Sequence, residues 1–217
     1  MTSSPLRASV LLSGGGRTLQ NLIDRIESEA LPLEIRSVIS NRSGAYGLER
    51  ARLAGLPTKV IGRKGSSGVA DYTARVFAAA RAAQAEWVLL AGFLRLLAPI
   101  PADFQGRVLN IHPALIPAFA GPGFYGEKVH AAALARGVRL SGCTVHFVDD
   151  EYDHGPILVQ RSVEVRPQDT VEELAARVFQ AECLAYPEAI RLLARGEARW
   201  DSGRIAWGTE HCTKPDE

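Results

Sequence analysis

Two polar side chains stand two residues apart in the otherwise apolar run Leu109-Asn110-Ile111-His112-Pro113. In an extended segment the period of two sends Asn110 and His112 to the same side, and Pro113 ends the run. An amide donor beside an imidazole at a strand's end meets the two needs of transfer at a carbonyl carbon, stabilising an oxyanion and handling a proton. A histidine merely satisfied at a strand terminus is the plainer alternative. Further on, Asp149-Asp150-Glu151-Tyr152-Asp153-His154-Gly155-Pro156 forms an acidic loop closed by a turn. Most such charge runs are solvated. Asp153 stands out because it precedes the Gly-Pro turn, where a carboxylate can orient a water or favour the charged imidazole of His112. His130 and His146 read as packing or surface residues.

A second constellation is Ser13-Gly14-Gly15-Gly16-Arg17-Thr18, which follows an apolar run and precedes Leu19, Leu22, Ile23 and Ile26 at helical spacing. Strand, glycine loop and helix in that order bring unpaired backbone N–H groups and the positive end of a helix dipole to one point, a cradle for phosphate. Arg17 adds a fixed cation suited to a monophosphate. The pattern is neither G-x-x-x-x-G-K-[ST] nor a complete G-x-G-x-x-G, since Leu19 stands where the third glycine belongs, so a bare tight turn stays open. Nothing resembles G-x-S-x-G, and no cysteine has a recognisable catalytic setting. The histidines lack H-E-x-x-H spacing, which disfavours a metal hydrolase. Direct transfer between two bound substrates is the natural reading.

The elements that hold these residues alternate along the chain. Apolar runs at Arg7 to Ser13, Ile35 to Ser40, Thr58 to Ile61, Trp87 to Gly92 and Val108 to Ile111 read as strands. Helical patterns separate them: one through Leu19 to Ile26, one through Leu48 to Ala54 stopping at Gly55, and an alanine-rich one from Val69 to Gln84. Strands alternating with helices imply a mostly parallel twisted sheet with helices on both faces, a Rossmann-like α/β fold. Thr144 to Val148 and Ile157 to Val165 read as a later hairpin or sheet extension, and a last helix spans Thr170 to Arg195. Ala118 to Gly126 carries enough glycine and proline for a mobile loop that covers the site. The tail from Thr209 is expected to be loosely held. Residues 1–217 are expected to form one domain, with residues 1–105 binding phosphate and residues 106–217 carrying the catalytic residues.

At 217 residues and 47% hydrophobic content the chain builds a substantial core. Twenty-five basic residues nearly cancel 24 acidic ones, so no overall field draws the protein to nucleic acid or an anionic membrane, and any bound anion must be held locally. Met1 to Arg7 lacks the apolar region of a signal peptide, and no run approaches a membrane span. The odd set Cys143, Cys183 and Cys212 lacks C-x-x-C spacing. These features lead to the expectation of a reduced, metal-free, cytoplasmic protein.

Several segments taken together resemble the glycinamide ribonucleotide transformylase family. They are Ser13-Gly14-Gly15-Gly16, Ser40-Asn41, Gly47-Leu48-Glu49-Arg50-Ala51, Ala91-Gly92-Phe93-Leu94-Arg95-Leu96-Leu97, and Leu109-Asn110-Ile111-His112-Pro113. The similarity continues through Thr144 to Val148, Asp153 to Leu158, and Gln180-Ala181-Glu182 to Tyr186-Pro187, about residues 7 to 195 in all. The resemblance implies formyl transfer from 10-formyltetrahydrofolate, acting as co-substrate, to the amine of glycinamide ribonucleotide in purine biosynthesis. It implies Asn110, His112 and Asp153 as the catalytic trio. By the same likeness Gly16, Arg17, Thr18 and Glu182 hold the ribonucleotide. Arg95, Leu96, Leu97, Asn110, Val148 and Asp153 line the folate. Arg17-Thr18 and Asp153-His154-Gly155-Pro156 depart from the family's usual residues, the second putting an imidazole near the proton path. A folate hydrolase and a non-catalytic nucleotide-binding module are the rival functions; a homodimer is allowed.

Overall fold

The computed structural model describes residues 4–208. The expectation for the tail from Thr209, and Cys212 with it, falls outside them. Strands β1 (Leu6–Leu12), β2 (Leu33–Ser40), β3 (Thr58–Val60), β4 (Trp87–Leu90), β5 (Val108–His112), β6 (Leu140–Phe147) and β7 (Ile157–Glu164) form one sheet in the order β3-β2-β1-β4-β5-β6-β7. From β3 to β5 every pairing is parallel; β6 runs antiparallel to both β5 and β7. The order reverses between β1 and β4, so the crevice beyond the carboxyl ends of these strands is where such sheets bind ligands.

The strand parities explain the layering. Ala8, Val10 and Leu12 of β1, Leu89 of β4 and Leu109 and Ile111 of β5 are buried in one core. There they meet α1 (Arg17–Glu29), α2 (Tyr46–Leu53), α4 (Glu127–Arg136) and α5 (Val171–Ala194). Leu11, Val88, Leu90 and Val108 belong to a second core against α3 (Val69–Ala82). Helices therefore cover both faces, as the doubly apolar strands require. The long α5 begins with a reciprocal capping box between Thr170 and Glu173.

Helix α4 and a hairpin after α5 lie outside the sequence expectation. Helix α4 follows the glycine-rich loop directly and ends on Gly137 in a left-handed conformation. A hairpin of β8 (Ala198–Asp201) and β9 (Arg204–Trp207) follows α5. Ser202 and Gly203 both have positive φ, the signature of a tight two-residue turn. Trp200 of β8 packs edge-on to Phe147 at 5.4 Å and lies where Gly106 offers no Cβ. No helix among the described residues is long and apolar enough to cross a membrane.

Candidate active site

The carboxyl ends of β1, β4 and β5 open onto a cavity of about 480 Å³. Its floor is the glycine loop. Arg17 begins α1, and Gly16 ahead of it takes a left-handed conformation with no side chain capping the helix, so the first-turn N–H groups are left for an anion. Gly16 needs glycine twice over: φ is 69°, and a Cβ there would meet the backbone of Gly47 at the start of α2. Gly47 N–H donates to Gly14 O at 3.0 Å, and Arg50 Nε donates to Gly15 O at 2.9 Å. These bonds draw the loop's carbonyls toward α2.

At the end of β5, Asn110 and His112 share one side, as their spacing dictates, and both line the cavity with Asp153. The Asp153 carboxylate is 10% exposed and sits on a residue with φ of 52°. Its Oδ1 accepts from Asn110 Nδ2 at 3.2 Å, and its Oδ2 accepts from Gly121 N–H at 3.0 Å and lies 3.4 Å from His112 Nδ1. His112 Nε2 stands 2.8 Å from the Phe119 carbonyl and so carries a proton that it donates. The glycine-rich loop is thus tied to His112 and Asp153 alike, and Gly121, Gly123, Phe124 and Tyr125 form one wall.

Sequence reasoning missed His146. It lies directly across from Asn110 in the β5–β6 register and is 1% exposed. Its Nδ1 donates to the Phe147 carbonyl at 2.7 Å, which leaves Nε2 to accept from Asn110 Nδ2 at 3.1 Å. The Asn110 amide is thereby fixed with both N–H bonds directed at His146 and Asp153. Only the pairing of β5 with β6 reveals this neighbour, since cross-strand partners share a face.

The electrostatics pull the pair apart. Burial pushes His112 below its ordinary value, and the opposing charge of Asp153 and the Phe119 carbonyl only partly offset it. Burial acts to raise Asp153, but its neighbours, the charge on His112 and the Gly121 N–H among them, outweigh it, and the carboxyl is held low. In the ligand-free protein, burial therefore opposes the protonated His112 expected from sequence.

Glu182 of α5 reaches the same cavity. Its side chain is half-buried at the cavity, and desolvation pushes its pKa up to about 7, with Arg17 opposing. The Arg17 guanidinium stacks 4.1 Å above the Phe179 ring. His130, read from sequence as packing or surface, is 5% exposed and lines the cavity. Gly16, Arg17, Thr18, Asn110, His112, Asp153 and Glu182 therefore meet around one space. Leu97 and Val148 lie in the core beneath it, while Arg95 and Leu96 stand outside its lining. His154 points away: it is 64% exposed and pairs with Asp149 at 2.7 Å, which removes it from the proton path. No group of three His, Cys, Asp or Glu side chains among the described residues is arranged to hold a metal ion.

Residues 6–190 match the family model described as formyl transferase. The chain is 39% identical over 207 residues to the trifunctional purine biosynthetic protein adenosine-3 of Gallus gallus. That match takes in 94% of this chain but 20% of the relative, so the chain spans about a fifth of that protein's length. It is 37% identical over 194 residues to the phosphoribosylglycinamide formyltransferase of Haemophilus influenzae, covering 89% of each. The crystal structure of glycinamide ribonucleotide transformylase 1 from Symbiobacterium toebii superposes with a TM-score of 0.86 at 40% identity, over 94% of both chains. Matched along most of its length in sequence and in fold, the chain belongs to the formyl transferase family, among the phosphoribosylglycinamide formyltransferases.

Proposed function

We propose that this chain passes the formyl group of 10-formyltetrahydrofolate to the primary amine of glycinamide ribonucleotide, a step of purine biosynthesis. The observation that carries the reading is the meeting of Asn110, His112 and Asp153 with the glycine loop and Glu182 around one cavity at the topological switch point. In this reading the phosphate sits on the N–H groups of Gly16, Arg17 and Thr18, and Glu182 takes the ribose hydroxyls. The first glycine loop serves the ribonucleotide and the second half of the chain the chemistry.

The segment after β4 supports the folate assignment. Leu94, Leu96, Ala98 and Ile100 each donate their backbone N–H to a side chain: Ser13, Tyr152, Thr73 and Asp150, at 2.8 to 3.0 Å. Those bonds take up alternate N–H groups along the segment and leave those of Arg95 and Leu97, which bond to no described residue, free. A free row of backbone donors and acceptors suits the edge of a pterin. Arg95, Leu96 and Leu97 thus contribute main chain more than side chain, with Val148 packed below.

The amine nitrogen attacks the formyl carbon, the tetrahedral oxyanion takes donors from His112 and Asn110, and the bond to the folate nitrogen breaks as that nitrogen gains a proton. One N–H of Asn110 trades its long bond to Asp153 for the oxyanion. Asp153 favours the charged His112 and, through a water, carries the amine proton toward the leaving nitrogen. Transfer is direct, with no covalent enzyme intermediate. A cytoplasmic setting fits this metabolism.

The deciding experiment incubates the protein with 10-formyltetrahydrofolate with and without glycinamide ribonucleotide, following tetrahydrofolate and formylated product together. Equal amounts of both products, dependent on the ribonucleotide, are expected. Formate release without the amine would assign a hydrolase instead, and binding without turnover a nucleotide-binding module.

A further inference from the structure

The loop that carries Asp153 and the segment that offers its free backbone edge belong to different crossovers, yet two bonds join them: Asp150 Oδ1 accepts the Ile100 N–H at 2.8 Å, and the Tyr152 hydroxyl takes the bond nearest the free edge. Tyr152 lines the cavity, is 40% exposed, and its Oη accepts the Leu96 N–H at 3.0 Å. Leu96 lies between Arg95 and Leu97, so the bond sets the tilt of the peptide groups on either side, whose N–H groups bond to no described residue. Tyr152 is also the residue before Asp153, whose backbone has φ of 52°, a conformation that a non-glycine residue holds only when its surroundings fix it. Because the phenol accepts through its oxygen, its own proton stays free to donate toward a ligand in the cavity.

We propose that Tyr152 is a positioning residue for the pterin co-substrate, setting the distance between the backbone edge at Arg95 to Leu97 and the carboxylate of Asp153. This rests on the folate reading above. The heterocycle is gripped by one loop and reacts beside the other, so a bond between the loops converts binding at the edge into placement of the formyl carbon. The other links to the same segment lie elsewhere along it: Ser13 holds Leu94, and Asp150, from the loop of Tyr152, holds Ile100 beyond the free edge. Thr73 holds Ala98 through bonds to both its N–H and its carbonyl from a buried position on α3, away from the cavity.

The test compares Tyr152→Phe, which keeps the ring and deletes the acceptor, with Thr73→Val, which deletes a link remote from the ligand. With Tyr152→Phe the Michaelis constant for 10-formyltetrahydrofolate and the calorimetric Kd for tetrahydrofolate should both rise about 2- to 10-fold, the range of one hydrogen bond. The Michaelis constant for glycinamide ribonucleotide and the melting temperature should stay put. Thr73→Val should lower the melting temperature with a smaller effect on either folate constant. Unchanged folate constants in Tyr152→Phe, an equal rise for both substrates, or an equal folate effect in Thr73→Val would each overturn the proposal. Tetrahydrofolate binding is read without turnover. A wild-type protein that binds it but does not formylate the ribonucleotide would refute the function while leaving the Tyr152 comparison decisive.

Discussion

At the scale of single residues, Asp153 and Glu182 make opposite use of the same enclosure. Asp153 pulls against the burial that holds His112 low. Asp153→Asn removes that pull, so the folded pKa of His112 falls further and less imidazolium survives near neutrality, while below the new pKa it survives in full. Turnover should drop by about 10²-fold or more near neutral pH and least at the acidic end of the profile. A loss of equal size at every pH would favour a water-positioning role. Glu182 is raised to about 7 from an ordinary value of 4.5, so the ligand-free fold is penalised for its charged form, increasingly as pH rises through that interval. Glu182→Gln should therefore melt with the wild type at pH 4 and above it at pH 8, by about 2–4 °C per kcal/mol recovered. The Michaelis constant for the ribonucleotide should rise. A thermal gain at pH 4 as well would trace the effect to packing. Arg17 is exposed, yet its guanidinium stacks on Phe179 at the cavity wall. Arg17→Ser should raise the Michaelis constant for the ribonucleotide alone, and unchanged constants would make the backbone of the loop the whole cradle. The trio was legible because Asn110 and His112 obey a period of two. His146 was not, because a cross-strand neighbour depends on register, and Tyr152 was not, because its contact is 56 residues away in sequence.

At the scale of elements, the glycine loop owes its shape to the helix beside it. A Cβ on Gly47 would run into Leu12 and crowd Gly16, so α2 packs against the loop at a distance only glycine permits on both sides. Gly47→Ala is expected to cost about 1–3 kcal/mol by overpacking and to displace the first-turn N–H groups of α1. Melting temperature and ribonucleotide binding should therefore fall together, and added inorganic phosphate should stabilise the variant less than the wild type. Equal stabilisation by phosphate in both would separate Gly47 from the cradle. The five parallel strands and the flanking helices were readable from apolar runs and helical spacing. Helix α4 escaped because Gly121, Gly123 and Gly126 just before it read as loop, although Val129, Ala133 and the stop at Gly137 carry a helical signal. The β8–β9 hairpin escaped because its two strands are four residues each, and its Ser202-Gly203 turn was the one cue.

At the scale of the whole molecule, the last long helix locks the strands that frame the site. Tyr186 of α5 is fully buried, and its hydroxyl stands 3.1 Å from Leu90 O, at the end of β4, and 3.3 Å from Leu109 O, near the start of β5. Leu90 and Leu109 are both buried, and a buried carbonyl short of a donor is costly. A phenol from a residue 77 positions beyond Leu109 supplies that donor, so the crevice depends on α5 being docked. Burial also pushes the hydroxyl's pKa well up, which keeps its proton in place across the working range. Tyr186→Phe leaves the ring's packing intact and deletes the donor alone. The expected cost is about 1–3 kcal/mol, measured as a lower urea midpoint with an unchanged slope. Because Asn110 follows Leu109 directly, turnover should fall more than either Michaelis constant rises. A variant as stable and as active as the wild type would show that β4 and β5 hold the crevice open without α5.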